Sequence, residues 1–162
     1  VIIGRELHFH NSRPGNMPYP IRAVRTKNYL YIRNFKHERW PMGDPYNAAE
    51  LTESDDLYKM GLSTTPAYRD LDGSLTKAWM MSRREKPGDK DLFHLTMHHR
   101  SGEELYDLKK DPNQLVNLAT APELRSVLTT LRGRVEQVMD TTGDPRLKDA
   151  FDRLPWVDST KP

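Results

Sequence analysis

Apolar and polar residues alternate or cluster in two short runs near the start of the chain. The runs read IRAVRT, from Ile21, and YLYIRNF, from Tyr29, and they are rich in β-branched and aromatic residues. Such residues are enriched in β-strands. Lys27 and Asn28 separate the runs, and Asn tolerates the left-handed conformation that a two-residue hairpin loop requires. The pattern therefore predicts a β-hairpin over residues 21–35.

The last third of the chain carries a helical pattern, because its apolar residues recur at three- and four-residue steps. The positions are Leu124, Val127, Leu128, Leu131, Val135 and Val138. Thr120 and Glu123 have the T-x-x-E spacing of a capping box at a helix start. We expect a helix over residues 121–142 that ends near Gly143. The segment DPRLKDAF after it is compatible with one more short helix.

ELYDL, within residues 103–108, predicts one further strand, with Leu105 and Asp107 on one face and Tyr106 and Leu108 on the other. The sequence KKDPNQ then turns the chain. Its Pro112 fixes φ and has no backbone N–H to donate to a sheet.

Residues 74–101 predict a helical insert of two short helices. Ser74 is the candidate N-cap of the first, Leu75, Ala78 and Trp79 share one face, and Pro87 and Gly88 end it. DLFHLTMHHRSG forms the second, closed by Gly102. The stretch from Lys36 to Asp72 is irregular, with at most a helical turn near Tyr58, and the tail LPWVDSTKP has no pattern.

These elements predict an α+β fold in which a small antiparallel sheet packs against the long C-terminal helix. The sheet with one apolar face and the helix with one apolar stripe bury each other. We expect one domain over residues 1–162, which opens with the strand VII. Residues 1–20 otherwise form a loop, since GRELHFHNSRPGNMPYP contains three prolines and two glycines.

Composition and charge exclude several classes of protein. The net charge is +2, which is too balanced to indicate nucleic acid, although the hairpin interleaves basic and aromatic residues. No apolar run is long enough to span a membrane. The chain contains no cysteine, so it can form no disulfide and has no thiol nucleophile. It contains no nucleophile elbow, P-loop or dinucleotide-binding motif.

The chain starts at Val1 without a signal peptide, which we interpret as a cut inside a longer protein.

Charged residues and histidines in the first loop are the best candidates for binding. They are Arg5, Glu6, His8, His10 and Arg13. Arginine offers a planar fork that matches carboxylate, phosphate or sulfate, so the loop suits an anionic substrate. The alternative is that these side chains only face water.

A second histidine pair, His94 and His98, has the i, i+4 spacing that can hold zinc on a helix. The zinc-protease pattern also needs a Glu directly after the first His, where this chain has Leu95. Surface histidines on a short helix are the alternative.

Three segments together resemble the C-terminal part of a formylglycine-dependent sulfatase. They are YPIRAVRTKNYLYIRNF (from Tyr19), EELYDLKKDPNQLVNLA (from Glu103) and TTGDPRL with FDRLPW. Within the family the likeness is greatest to the sulfamidase subgroup, because HFH precedes the hairpin and a helical insert precedes ELYD. The resemblance covers about Gly4 to Trp156.

The resemblance implies a C-terminal subdomain of a large, alkaline-phosphatase-like α/β enzyme that hydrolyses sulfate ester or N-sulfate groups of sulfated glycans. Its N-terminal catalytic domain, absent from this chain, would carry formylglycine, made from Cys or Ser in C/S-x-P-x-R, and calcium. TTPAY, from Thr64, does not match that motif. We therefore expect the isolated chain to hydrolyse nothing.

By the same resemblance the partners are the N-terminal sulfatase domain and a sulfated carbohydrate, with no nucleic acid and no membrane span. Location is periplasmic, secreted or lysosomal. His8, with Glu6, Arg5 and Arg13 nearby, would contact the sugar, and His10 is the alternative if the register differs by two. A free-standing binding or assembly module is the competing interpretation, and a C/S-x-P-x-R motif encoded upstream of Val1 would decide against it.

Overall fold

The computed structural model describes residues 1–46, 56–64, 66–148 and 152. The chain divides into two compact units. Unit 1 comprises Val1–Glu6, Pro18–His37 and Arg100–Pro162, and unit 2 comprises Leu7–Met17 and Glu38–His99. The sequence patterns carry no signal for this division, because each unit is assembled from segments that are distant in sequence.

Unit 1 contains an antiparallel sheet of four strands in the order β1-β2-β3-β4. The strands are β1 (Ile2–Arg5), β2 (Ile21–Arg25), β3 (Tyr29–Asn34) and β4 (Glu103–Asp107). The register places Tyr31 opposite both Val24 and Leu105. The hairpin and the ELYDL strand are therefore confirmed, and β1 continues the predicted VII strand through Arg5.

Helix α4 (Arg125–Thr142) packs its apolar stripe on one face of this sheet. The helix buries Leu128, Leu131, Val135 and Met139, and the sheet buries Val24, Tyr31 and Leu105. The stripe follows the 3.6-residue period, so Met139 takes the deep position at the end of the stripe and Val138 is only half-buried. A small antiparallel sheet packed against a helix confirms the α+β prediction.

Two local predictions in unit 1 are wrong. The capping box is not formed, because Pro122 starts a 3₁₀ turn at Pro122–Leu124 and α4 begins only at Arg125. Asn28 does not adopt a left-handed conformation. Instead the Thr26 hydroxyl accepts hydrogen bonds from the backbone N–H groups of Asn28 (3.2 Å) and Tyr29 (2.9 Å). A side-chain turn of this kind removes the need for positive φ.

The described part of unit 2 contains three short α-helices, α1 (Leu57–Ser63), α2 (Leu75–Ser82) and α3 (Lys90–Met97). Its core contains Ala67, Tyr68, Met81, Phe93 and Met97. Ser74 caps α2 as predicted, since its side chain accepts a hydrogen bond from the Lys77 N–H at 3.1 Å. Helix α2 ends at Ser82, before the predicted stop at Pro87, and α3 ends at Met97, before Gly102.

The predicted apolar face of α2 is buried only at Ala78. Leu75 is 53% exposed and Trp79 is 37% exposed. Lys77 and Met81 are buried in their place. The Lys77 ammonium is directed inward because it donates hydrogen bonds to two buried carbonyl groups, and this contact fixes the rotation of the helix. No helix among the described residues has the length and apolarity to cross a membrane.

Candidate functional site

The loop Leu7–Met17 in unit 2 is held in place by one buried carboxylate, that of Asp70. One Asp70 oxygen accepts hydrogen bonds from the backbone N–H groups of His8 (3.3 Å) and Phe9 (2.9 Å). The other accepts from the Arg13 guanidinium at 2.7 Å. Because His8, Phe9 and Arg13 all bind this one side chain, the first half of the loop has a defined shape.

Arg13 is buried, with its side chain 2% exposed. Its guanidinium also donates to the carbonyl oxygens of Trp40 (2.7 Å), Pro41 (2.9 Å) and Met17 (3.3 Å). A buried charge needs partners of this number and quality, since desolvation is costly. Arg13 therefore holds the loop to the segment around Trp40.

His8 and His10 lie on the exposed side of the same loop. The His8 Nε2 atom lies 3.3 Å from an Asp72 carboxylate oxygen, and both side chains are largely exposed. The His10 ring stacks on Phe9, with centroids 4.8 Å apart and an interplanar angle of 17°. The Arg69 guanidinium lies 5.0 Å from the centroid of the same Phe9 ring. Cations and rings are thus presented together on one surface of unit 2.

A pocket of about 520 Å³ opens beside the loop. Its walls include Asn11, Ser12, Pro14, Asp44, Tyr46 and Arg69. Burial raises the pKa of the Asp44 carboxyl above its ordinary value, against the opposing effect of the nearby Arg13 charge. A volume of this size falls within the range of small-molecule sites.

The pocket wall is built from backbone segments that approach closely. The Asp44 N–H donates to the Ser12 carbonyl at 2.8 Å, and the Tyr68 N–H donates to the Asp44 carbonyl at 2.8 Å. Gly43 lies between these segments at φ +94°, where a Cβ would lie 2.9 Å from the Arg69 nitrogen. Only glycine fits this position without displacing the wall.

Left-handed backbone is concentrated around the pocket. Asn11 and Asn16 have φ of 56° and Tyr68 has φ of 50°. Asn adopts this region readily, but for a bulky residue such as Tyr it is an outlier. Outliers of this kind occur preferentially at functional sites.

Arg5 and Glu6 lie in unit 1, at the end of β1. The Glu6 carboxylate accepts from Arg22 at 2.8 Å and from Arg146 at 2.8 Å. Arg22 also donates to Asp144 at 2.5 Å, and Arg146 also donates to Asp152 at 2.9 Å. Glu6 thus joins β1 and β2 to the 3₁₀ helix Pro145–Lys148, and the GDPRL segment is the part of the chain that binds it.

The structure therefore divides the predicted site residues between the two units. His8, His10 and Arg13 belong to the loop in unit 2, whereas Arg5 and Glu6 belong to unit 1. Direct contact of any of them with a substrate stays a prediction. Sequence reasoning missed Arg69, Asp70 and Asp44, which lie in a stretch without periodicity. The only signal was the charged sequence YRDLD, which contains Arg69 and Asp70 but not Asp44.

The His94 and His98 rings lie close together, with centroids 4.8 Å apart, and His99 continues the cluster at 5.5 Å from His98. Burial, together with the neighbouring His94 and His99, lowers the pKa of His98. The described parts of the chain contain no group of three or more His, Asp or Glu side chains arranged to hold a metal ion. Structural zinc sites need four ligands, so the described residues do not support the zinc hypothesis.

Comparison with known proteins identifies the class to which this chain is similar. No family model matches it, but similar curated proteins are sulfatases. The chain is 28% identical to human N-sulphoglucosamine sulphohydrolase over 129 residues, 80% of this chain and 21% of that protein. It is 27% identical to the ulvan-active sulfatase of Formosa agariphila over 124 residues, 76% of this chain and 17% of that protein. The resemblance to sulfatases is confirmed.

The chain spans about a fifth of the length of these relatives. Formylglycine and calcium are implied by the resemblance alone, and the described residues contain no group of three or more His, Asp or Glu side chains arranged to hold a metal ion. Ser12 and Pro14 match two positions of C/S-x-P-x-R, but Asn16 replaces the arginine. The Ser12 hydroxyl is committed to the Phe9 carbonyl at 2.6 Å. We therefore assign neither group to these residues.

Proposed function

We propose that this chain is part of a sulfatase acting on sulfated glycans, in which it completes the substrate pocket without supplying the nucleophile. The observation that carries the proposal is its similarity to two sulfatases over most of its own length but about a fifth of theirs. Formylglycine and calcium belong to the catalytic domain in this proposal. A periplasmic, secreted or lysosomal location goes with it.

The loop Leu7–Met17 is the part that we propose to face the sugar. His8 and His10 are exposed and can donate hydrogen bonds to hydroxyl or sulfate oxygens. Asp70 and Arg13 fix the backbone of the loop, and Glu6 fixes the end of β1 that leads into it. Groups held in advance lose little entropy on binding, which favours selectivity.

The role of the loop is substrate discrimination more than acceleration of sulfur transfer. Interactions that are equal in the ground state and the transition state lower KM without raising kcat. His8→Ala is therefore expected to raise KM for a glycan substrate and to leave kcat within about twofold.

The test is sulfate release by the intact protein that contains this chain. Heparan sulfate and ulvan oligosaccharides serve as substrates, with inorganic sulfate measured by ion chromatography. His8→Ala should lower kcat/KM about tenfold, equal to about 1.4 kcal/mol. His94→Ala, an exposed histidine on α3, is the matched control and should behave as the parent. A folded protein that releases no sulfate from either substrate would contradict the proposal and favour the binding module.

A further inference from the structure

We propose that the pocket beside the loop Leu7–Met17 is a subsite that binds an oxyanion, a carboxylate or sulfate group, of an acidic glycan, with Arg69 as its anchor. This inference rests on the proposed function for the identity of the sugar chain. The site itself is argued from contacts within unit 2.

Arg69 and Asp70 are adjacent but play opposite parts. Asp70 is buried, and its carboxylate is taken up by Arg13 and two backbone N–H groups. Arg69 is only half-buried, lines the pocket and stacks on Phe9. Within the described part of the chain no carboxylate lies within ion-pair distance of Arg69. Its guanidinium is therefore available to a ligand.

The turn that carries Arg69 is clamped on both sides. The buried Lys77 ammonium donates to the carbonyl oxygens of Tyr68 (3.1 Å) and Leu71 (2.9 Å), the residues that bracket Arg69 and Asp70. The Asp70 N–H donates to the Met42 carbonyl at 2.9 Å. A buried lysine without a carboxylate partner is costly, and here it serves to hold one short turn in place.

The chemistry of the pocket selects the class of ligand. A guanidinium matches the two oxygens of a carboxylate or sulfate in a bidentate pair. The Phe9 ring, 5.0 Å from the Arg69 guanidinium, helps to hold that guanidinium at the pocket. Asp44 and Asn11 supply acceptors for sugar hydroxyl groups. An acidic oligosaccharide satisfies these groups together, whereas a neutral one leaves Arg69 unpaired.

The experiment measures binding to the full chain by isothermal titration calorimetry with tetrasaccharides of known charge. Hyaluronan tetrasaccharide carries carboxylates only, κ-carrageenan tetrasaccharide carries sulfates only, and chitotetraose is neutral. We expect binding of at least one acidic probe and none of chitotetraose. Arg69→Ala should weaken acidic binding about tenfold or more, in line with loss of a charge-assisted pair. Whichever acidic probe binds identifies the group that the pocket takes.

Arg69→Lys keeps the charge without the fork and should recover only part of the affinity. Arg25→Ala, an exposed arginine on β2 in unit 1, is the matched control. Thermal melting of each variant verifies folding. Equal affinity of Arg69→Ala and the parent for all acidic probes, or binding of chitotetraose as tight as that of the acidic probes, would overturn the subsite.

This result can be separated from the fate of the proposed function. If the intact protein releases no sulfate but Arg69-dependent binding persists, the enzyme proposal fails and the subsite stands. If sulfate is released and Arg69→Ala has the parental kcat/KM on oligosaccharides as well as parental binding, the subsite fails and the enzyme proposal stands.

Discussion

The two units of this protein are stabilised in different ways. Among the described residues, unit 1 has an apolar core of seven buried residues between sheet and helix, and its main buried ion pairs are shared among several partners. The described residues of unit 2 form a smaller apolar core, and its loop and pocket wall depend on Asp70, Lys77 and backbone hydrogen bonds. Polar groups in unit 2 thus specify the position of single loops, which is what a binding surface requires.

The largest expected loss of stability comes from neutralising a buried carboxylate, and it should differ between Asp70 in unit 2 and Glu6 in unit 1. Asp70→Asn removes the buried carboxylate that pairs with the Arg13 guanidinium at 2.7 Å and should lower the free energy of unfolding by about 3–5 kcal/mol. Glu6→Gln should cost about 1–3 kcal/mol, since Arg22 keeps Asp144 and Arg146 keeps Asp152. Urea denaturation measures both. Equal losses would show that the unit 1 network gives no such protection.

The next effect is on the apolar core of unit 1. Leu131→Ala should lower the free energy of unfolding by about 2–5 kcal/mol, because it removes buried methyl groups between α4 and the sheet. The exposed Thr129→Ala on the same helix is the control. Urea denaturation provides the measurement. A loss below about 1 kcal/mol would mean that α4 contributes little to this core and packs mainly elsewhere in the intact protein.

An intermediate effect is expected where the backbone of unit 2 approaches most closely. Gly43→Ala places a methyl group 2.9 Å from the Arg69 nitrogen and 3.0 Å from the Ser12 carbonyl oxygen, at φ +94°. We expect a loss of about 1–3 kcal/mol. Hydrogen exchange should locate the change in the residues of unit 2. Gly133→Ala in α4, where a Cβ meets nothing within 4 Å, is the control and should not destabilise.

A smaller effect separates the two helix starts. Ser74→Ala should cost about 1 kcal/mol, because the Ser74 side chain caps α2. Thr120→Ala should cost less than about 0.5 kcal/mol, since no capping box forms before α4. Thermal melting followed by circular dichroism distinguishes them. A larger loss of stability in Thr120→Ala would mean that the Thr120 side chain does cap α4.

The smallest expected effect concerns the pH dependence of stability, to which the carboxyl groups of Glu103 and Asp44 contribute with opposite sign. A hydrogen bond from Arg132 lowers the pKa of Glu103 in unit 1, so its stabilisation is present above the unfolded pKa and is lost as pH falls through the folded pKa. Burial raises the pKa of Asp44 in unit 2, so its contribution is present below the unfolded pKa and is lost as pH rises through the folded pKa.

Stability curves between pH 2 and pH 7 test this pair of signs in substituted proteins. Glu103→Gln should reduce the loss of stability on acidification. Asp44→Asn should raise stability near pH 7 relative to the parent and steepen the apparent acid loss. A change of the same sign in both variants would contradict the assignment.

The sequence predicted the hairpin and α4 well because local pattern and burial agree there. Alternation in IRAVRT and YLYIRNF, and the stripe through Leu131, reflect one buried face each. The sequence pattern did not predict which face of α2 is buried, because Lys77 is directed inward toward two carbonyl groups. A lysine is normally an exposed residue, so no periodic pattern could predict its burial.

The candidate site shows the same limit. Its histidines and arginines could be found as a charged loop after β1, but Arg13 proved to be buried and Arg69 was not recognised. Asp70 is distant from Arg13 in sequence, and their pairing depends on how the chain folds back. Long-range polar contacts leave no spacing rule in a single sequence.

The sequence by itself determined the α+β elements and the resemblance to sulfatases, since strands, helices and family motifs are written in short local patterns. Only the tertiary structure decided that Asp70 and Lys77 are buried, that Arg69 faces a pocket, and that Glu6 joins the GDPRL segment in unit 1. The reason is physical. A charged side chain is stable in the interior only when distant parts of the chain bring it partners.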